Sequence, residues 1–184
     1  MNLLGTKTLK TARLTLRAFR ASDAEEMFAN WANDPEVTRY MTWTPHGDIA
    51  VTRELCAQWE RAAATSFQWA IVYGGELIGS ISVIKVDAAQ ESGTIGYCIG
   101  KKWWGKGLMT EAVHEVLRFM FEEVGLFFIG GEHAAPNVRS GRVMEKCGLV
   151  YEGTRHKYWK LPATGERVDL VLRGITRDDY FNLK

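Results

Sequence analysis

The chain has 184 residues, 46% of them hydrophobic, and 23 basic side chains against 22 acidic ones give a formal net charge of +1. That length suits one domain with a substantial core, and the balance of charge supplies no bulk positive field for holding nucleic acid. No apolar run is long enough to cross a membrane and MNLLGTKTLK lacks the apolar centre of a secretory leader, so a cytoplasmic setting is expected.

Residues 1–10 carry no periodic pattern and are expected to be loose. Over 12–19, Leu14, Leu16 and Ala18 alternate with Arg13, Thr15 and Arg17, the pattern of a half-buried strand. Ser22 and Glu25 have the spacing of a capping box that opens a helix through about residue 33. Asp34-Pro35 stops it and starts a second short helix. Five acids and no base lie between Ser22 and Glu36, which reads as a solvated helical face or as a negative rim for a cationic amine. A longer helix is predicted over 49–64, with Leu55, Trp59, Ala62 and Ala63 inward. Strands at 67–73 and 76–85 meet at Gly74-Gly75, a two-residue hairpin turn.

A third strand over 93–99 completes an antiparallel meander. It leads into GKKWWGKG and then into a helix over 107–124 whose apolar stripe includes Leu108, Ala112, Val113, Val116 and Leu117. Gly105 and Gly107 flank Lys106 where that helix begins. Glycines there allow a sharp turn, and first-turn amides are unpaired and partly positive, so the turn suits a phosphate. We read Gly105, Lys106, Gly107 and Leu108 as a diphosphate cradle. A strand at 127–133 follows, and the crossover would pair it parallel to the strand before the loop. Residues 137–147 read as a helix closed by Gly148. Strands at 149–160 and 167–174 form a hairpin, and 176–181 a terminal helical turn.

Gly100 to Lys106 also fits the first seven positions of a P-loop, GxxxxGK. The eighth residue is Gly107, so the hydroxyl that would hold Mg²⁺ is missing, and Trp103 and Trp104 fill positions that favour small residues. The three cysteines, Cys56, Cys98 and Cys147, are far apart and without a CxxC pair. They read as reduced core residues, and the histidines show no metal spacing, so no metal is expected.

Lys102-x-x-Gly105-x-Gly107, continuing as Leu-Met-Thr-Glu-Ala, resembles the acetyl-CoA loop of the GNAT N-acetyltransferases, with Lys102 where Arg or Gln is usual. Pro136-Asn137-Val-Arg139-Ser140-Gly-Arg142 through Lys146-Cys-Gly148-Leu149 resembles the family's second motif. EEMFANWANDPEVTRYM resembles the opening of its RimJ/RimL branch. The resemblance covers almost the whole chain.

It implies an α/β (α+β) GNAT fold: a mixed, mostly antiparallel sheet of about seven strands flanked by helices, splayed between the strands before and after the central helix. It further implies that acetyl-CoA lies in that gap and binds the main chain at Cys98 and Ile99, the loop from Lys102 to Leu108, Asn137 and Arg142. Asn137 is also a good helix N-cap. Many family members carry a Tyr seven residues after the Asn as acid toward the departing thiolate; here that position is Met144. The RimJ/RimL branch has Ser at the position of Ser140, which implies a hydroxyl that donates to developing sulfur charge. A first-turn Ser bonded to backbone is the competing reading. His133 is the candidate base, since its ordinary pKa suits proton uptake near neutrality; Glu132, Glu166 and Asp169 are alternatives. The expected activity is direct acetyl transfer to a primary amine, either a protein N-terminus or a small amine. A non-catalytic acyl-CoA sensor is the rival, and homodimers are common in this branch.

Overall fold

The computed structural model describes residues 1–183. One eight-stranded sheet runs through it in the order β1-β2-β3-β4-β5-β6-β8-β7. Its strands are β1 (Leu9–Lys10), β2 (Leu14–Ala18), β3 (Phe67–Tyr73), β4 (Glu76–Asp87), β5 (Ser92–Ile99), β6 (Phe128–Ala134), β7 (Val150–Lys160) and β8 (Arg167–Thr176). The count exceeds the expected seven because Leu9 and Lys10 pair with Leu16 and Thr15. Two residues are too few to show a period of two in the sequence. All pairings are antiparallel except β5 with β6. The β3–β4 hairpin turns on Gly74 and Gly75 as read, with φ of 58° and 87°.

The helices are α1 (Ala24–Met27), α2 (Pro35–Thr38), α3 (Ile49–Ala62), α4 (Leu108–Arg118), α5 (Val138–Lys146) and α6 (Arg177–Asn182). Alternation along the strands makes two main cores, with a smaller cluster at Ala134, Leu161 and Val168. Trp69, Ile71, Ile81 and Ile95 pack with Leu108, Val113, Leu117 and Met144 from α4 and α5. Ala70, Leu77 and Cys98 pack with Phe19, which follows β2, and with Met27, Trp31 and Cys56 from the helical segments on the other face.

Two helices depart from regular α geometry. The span expected as one helix from Ser22 is a 3₁₀ turn at Ala21–Asp23, then α1, then a π-helical turn at Phe28–Ala32. The expected Ser22–Glu25 box does not form. Asp23 takes its place, accepting from the Arg20 amide at 2.8 Å and from both terminal nitrogens of Arg17 at 2.7 and 2.8 Å. The rigid fork of Arg17 on β2 holds this carboxylate better than a serine hydroxyl could. The span read as one helix to 124 holds α-helical spacing to Arg118 and widens to a π-helical segment at Phe119–Val124. Phe119, Met120 and Phe121 are consecutive and all buried, which regular α spacing would not allow on one stripe. The widened turn seats Phe119 against Trp69, with ring centroids 5.9 Å apart.

The acids between Ser22 and Glu36 do not form an open negative rim. Asp23 is taken by Arg17, Glu25 by Arg53, Glu26 by the Leu77 amide and Glu36 by Lys101, while Asp34 caps α2.

Candidate acetyl-CoA site

The sheet parts where the motifs converge. β5 and β6 pair over only four positions, from Ser92↔Phe128 to Ile95↔Gly131. Beyond them β6 continues against β8 as far as Ala134, and β5 continues against β4 as far as Ile99. The Gly100 amide donates to the Ile78 carbonyl at 2.9 Å. Antiparallel bonding alternates along a strand, so the Cys98 main chain faces β4 and those of Tyr97 and Ile99 face the gap. Of the two main-chain positions expected to meet the cofactor, Ile99 faces the gap and Cys98 does not. The Cys98 thiol is buried against Ser80 at 3.4 Å, and burial pushes its pKa up to about 11, which excludes it as a ready nucleophile.

Beyond Ile99 the chain makes the glycine turn. Gly105 and Gly107 hold φ of 75° and 73°, the left-handed region that favours glycine. The Glu111 amide closes the first turn of α4 on the Gly107 carbonyl at 3.1 Å. The amides before it have no intrahelical acceptor and present donors to an anion. A Cβ on Gly105 would meet nothing within 4 Å, and one on Gly107 would meet only Arg13 Nη2, at 3.6 Å. The cradle is open, and its chemistry fits a diphosphate.

Arg13 braces this turn, a role its place in a strand pattern gave no sign of. Its Nη1 donates to the Lys106 carbonyl at 3.1 Å and its Nε to Glu111 at 2.6 Å. Burial alone would raise the Glu111 pKa, but hydrogen bonds from Thr11 and Arg13 outweigh it and hold the carboxyl below its usual range. Lys102 turns away from the cradle to Glu76, at 3.1 Å, and its ammonium lies 4.9 Å from the centre of the Trp103 ring. Trp103 is a core residue. Trp104 donates its indole N–H to the Ile99 carbonyl at 2.8 Å and carries the Arg139 guanidinium 4.7 Å from its ring centre.

Across the gap, Asn137 caps α5, with its side-chain oxygen accepting from the Ser140 amide at 3.4 Å. Its side-chain amide is left to donate elsewhere. Ser140 is half-buried, and its hydroxyl donates to Tyr97 Oη at 3.2 Å. Arg142 is exposed. A cleft of about 630 Å³ starts at Gly107 and runs along α4 past Thr110 and His114 to Cys147 and Tyr180; neither Asn137 nor Ser140 lines it.

His133 does not stand free at its strand end. It is 7% exposed, its Nδ1 lies 3.0 Å from the Ala134 carbonyl, and a Cβ on Gly141 would come 2.8 Å from its Nε2. The ring is wedged under α5, and its buried Nε2 has no hydrogen-bond partner. Burial lowers its pKa, and burial likewise lowers that of His46. Both imidazoles therefore take up protons less readily in the folded chain than in the unfolded one, which does so at about pH 6.5. Their contribution to stability is intact above that pH and is lost as the pH falls through the lower folded values. Thermal melts between about pH 5 and 8 should show the midpoint falling on the acid side, with part of that slope removed by His133→Gln.

The matched family description is "Acetyltransferase (GNAT) domain", over residues 13–150. The chain is 29% identical over 178 residues to the uncharacterized N-acetyltransferase p20 of Bacillus licheniformis, covering 95% of this chain and 98% of the relative. It is 36% identical over 86 residues to the [ribosomal protein uS5]-alanine N-acetyltransferase of Escherichia coli (strain K12), covering 47% and 43%. The fold matches RimL, the ribosomal L7/L12 α-N-protein acetyltransferase solved in complex with coenzyme A, with a TM-score of 0.85 at 16% identity, covering 94% of this chain and 99% of that one. Among the described residues no His, Cys, Asp and Glu cluster could hold a metal ion, and no helix is long and apolar enough to cross a membrane. A glycine turn at a helix start, a sheet that parts beside it and a match over most of the length agree: the chain belongs to the GNAT family, as an acetyl-CoA-dependent acyltransferase.

Proposed function

We propose that the chain moves acetyl from acetyl-CoA to a primary amine directly, with donor and acceptor held together and no acyl-enzyme formed. The observation that carries this reading is the Ser140 hydroxyl at the first turn of α5, bonded to Tyr97 on the strand that borders the gap. Bound acetyl-CoA supplies an activated acetyl thioester. The amides ahead of Glu111, gathered by Gly105 and Gly107, take the diphosphate, with Lys106 and Leu108 in the same turn. Ile99 and Tyr97 offer main-chain groups to the arm, Asn137 offers its side-chain amide, and Arg142 lies free for a phosphate. Ser140 donates a hydrogen bond to sulfur as charge gathers there. In the balance of the reaction, nitrogen's lone pair makes the N–C bond, the C–S pair leaves with sulfur, and an N–H proton passes to solvent. The buried thiols support direct transfer: burial raises Cys56 and Cys147 to about 12.

A solvent sink for that proton favours an α-amine acceptor. An α-amine has a pKa of about 7.7–8.0 and is partly neutral at pH 7, whereas a lysine amine at about 10.4 is neutral in about one molecule in 2,500. The uS5-alanine relative supports a protein N-terminus as the acceptor. The test is thiol release from acetyl-CoA with peptides bearing a free N-terminal alanine, their N-acetylated forms as blanks, and polyamines and amine antibiotics alongside. Release with the free peptides is expected. Binding of acetyl-CoA without release by any amine would overturn the reading and leave an acyl-CoA sensor.

A further inference from the structure

Tyr97 lies on β5 two positions beyond the last pair with β6 and packs against the core beneath α4 and α5. Its hydroxyl meets one residue twice: it donates to the Ser140 carbonyl at 3.0 Å and accepts from Ser140 Oγ at 3.2 Å. One phenol thus ties the parted strand to the first turn of α5, and the hydroxyl assigned to the thiolate rests on it.

We propose that Tyr97 is a positioning residue for acetyl transfer, setting which way the Ser140 hydroxyl donates. The proposal rests on the reading of Ser140 given above. At rest Ser140 Oγ–H points to Tyr97. When negative charge builds on sulfur, the Ser140 O–H turns to it and the Tyr97 O–H turns from the Ser140 carbonyl to Ser140 Oγ. Two O–H bonds rotate, no proton changes owner and no heavy atom moves. A hydroxyl that accepts one hydrogen bond donates a stronger one, so Tyr97 strengthens the bond that Ser140 makes to sulfur.

Tyr97 is suited to this part. Burial pushes its phenol well above its usual range, and Cys147 adds to that, while the Ser140 hydrogen bond and Arg173 pull the other way. It keeps its proton at any working pH and remains a donor. Met144, one turn along α5 from Ser140, has no proton to give, and Arg173 commits Nη2 to Glu145 and Nη1 to the Leu149 carbonyl.

The test needs no amine. CoA is bound to the full chain, and the pKa of its thiol is read from thiolate absorbance against the same chain without CoA. The protein's own thiols stay silent, since burial holds all of them at about 11 or higher. Ser140→Ala should raise the bound thiol's pKa by about one to two pH units, the usual worth of a hydrogen bond to a charged group. Tyr97→Phe should raise it by about half that, and the double variant should match Ser140→Ala alone. If Tyr97→Phe fails to fold, 3-fluorotyrosine in place of Tyr97 keeps the ring and makes a stronger donor. It should lower the thiol's pKa when Ser140 is present and leave the Ser140→Ala chain unmoved. No shift in Ser140→Ala sinks the reading of Ser140. A shift there with none in Tyr97→Phe sinks the role of Tyr97 alone. A Tyr97 effect that persists without Ser140, from either substitution, also overturns it.

Discussion

Gly107→Asp is expected to weaken acetyl-CoA binding by at least about a hundredfold in a calorimetric titration. Gly107 sits at φ 73°, where any side chain adds about 1–2 kcal/mol of strain. Charge contributes more than strain. A carboxylate about 5 Å from a phosphate repels it by about 3 kcal/mol at an effective dielectric of about 20, and every ~1.4 kcal/mol is tenfold in affinity. The new carboxylate would also find Arg13 Nη2 close by and neutralise it. The fold should tolerate the change, because an acid before a helix is favoured by about 0.3–1 kcal/mol, which offsets part of the strain. A melting point within a few degrees of wild type, together with lost binding, is the signature sought. Affinity unchanged by the substitution would remove this turn from the donor site.

Ser140→Ala should act the opposite way, lowering turnover about ten- to a hundredfold while acetyl-CoA affinity stays within about twofold. A hydrogen bond to a charged group is worth about 1.5–3 kcal/mol, and each ~1.36 kcal/mol of barrier is tenfold in rate. The charge on sulfur exists only late in the reaction, so little of this is felt on binding. Tyr97 would still donate to the Ser140 carbonyl, so the first turn of α5 keeps its anchor. Single-turnover rates with a peptide found active in the amine screen would separate this step from product release. Wild-type turnover would leave the Ser140 hydroxyl with only its structural tie to Tyr97.

Much of this was legible from the sequence because the signals are local. Gly74-Gly75 between alternating runs gives a hairpin, Asn137 after a proline gives an N-cap, and Gly105-Lys-Gly107 before an apolar stripe gives a left-handed turn into a helix. What escaped depends on distance along the chain. Arg13 reads as the polar side of a strand, and nothing nearby says that it braces a turn 93 residues on. Tyr97 reads as one more apolar position between Ile95 and Ile99, and only the fold brings its hydroxyl to Ser140, 43 residues away. His133 has the right chemistry for a base, but its burial is set by Gly141 on another element. Asp23 against Ser22 is a closer case, decided by Arg17 on the preceding strand.

The short pairing of β5 with β6 means that the sheet has inner margins besides its two outer ones, and one of them belongs to β5. Main-chain donors and acceptors at Tyr97 and Ile99 line it with no ladder partner in β6. A lone margin of this kind invites a foreign strand, and here Trp104 stops part of it by taking the Ile99 carbonyl. The rest has the spacing that a ligand bearing amide groups along an extended chain would need to stand in for the missing strand.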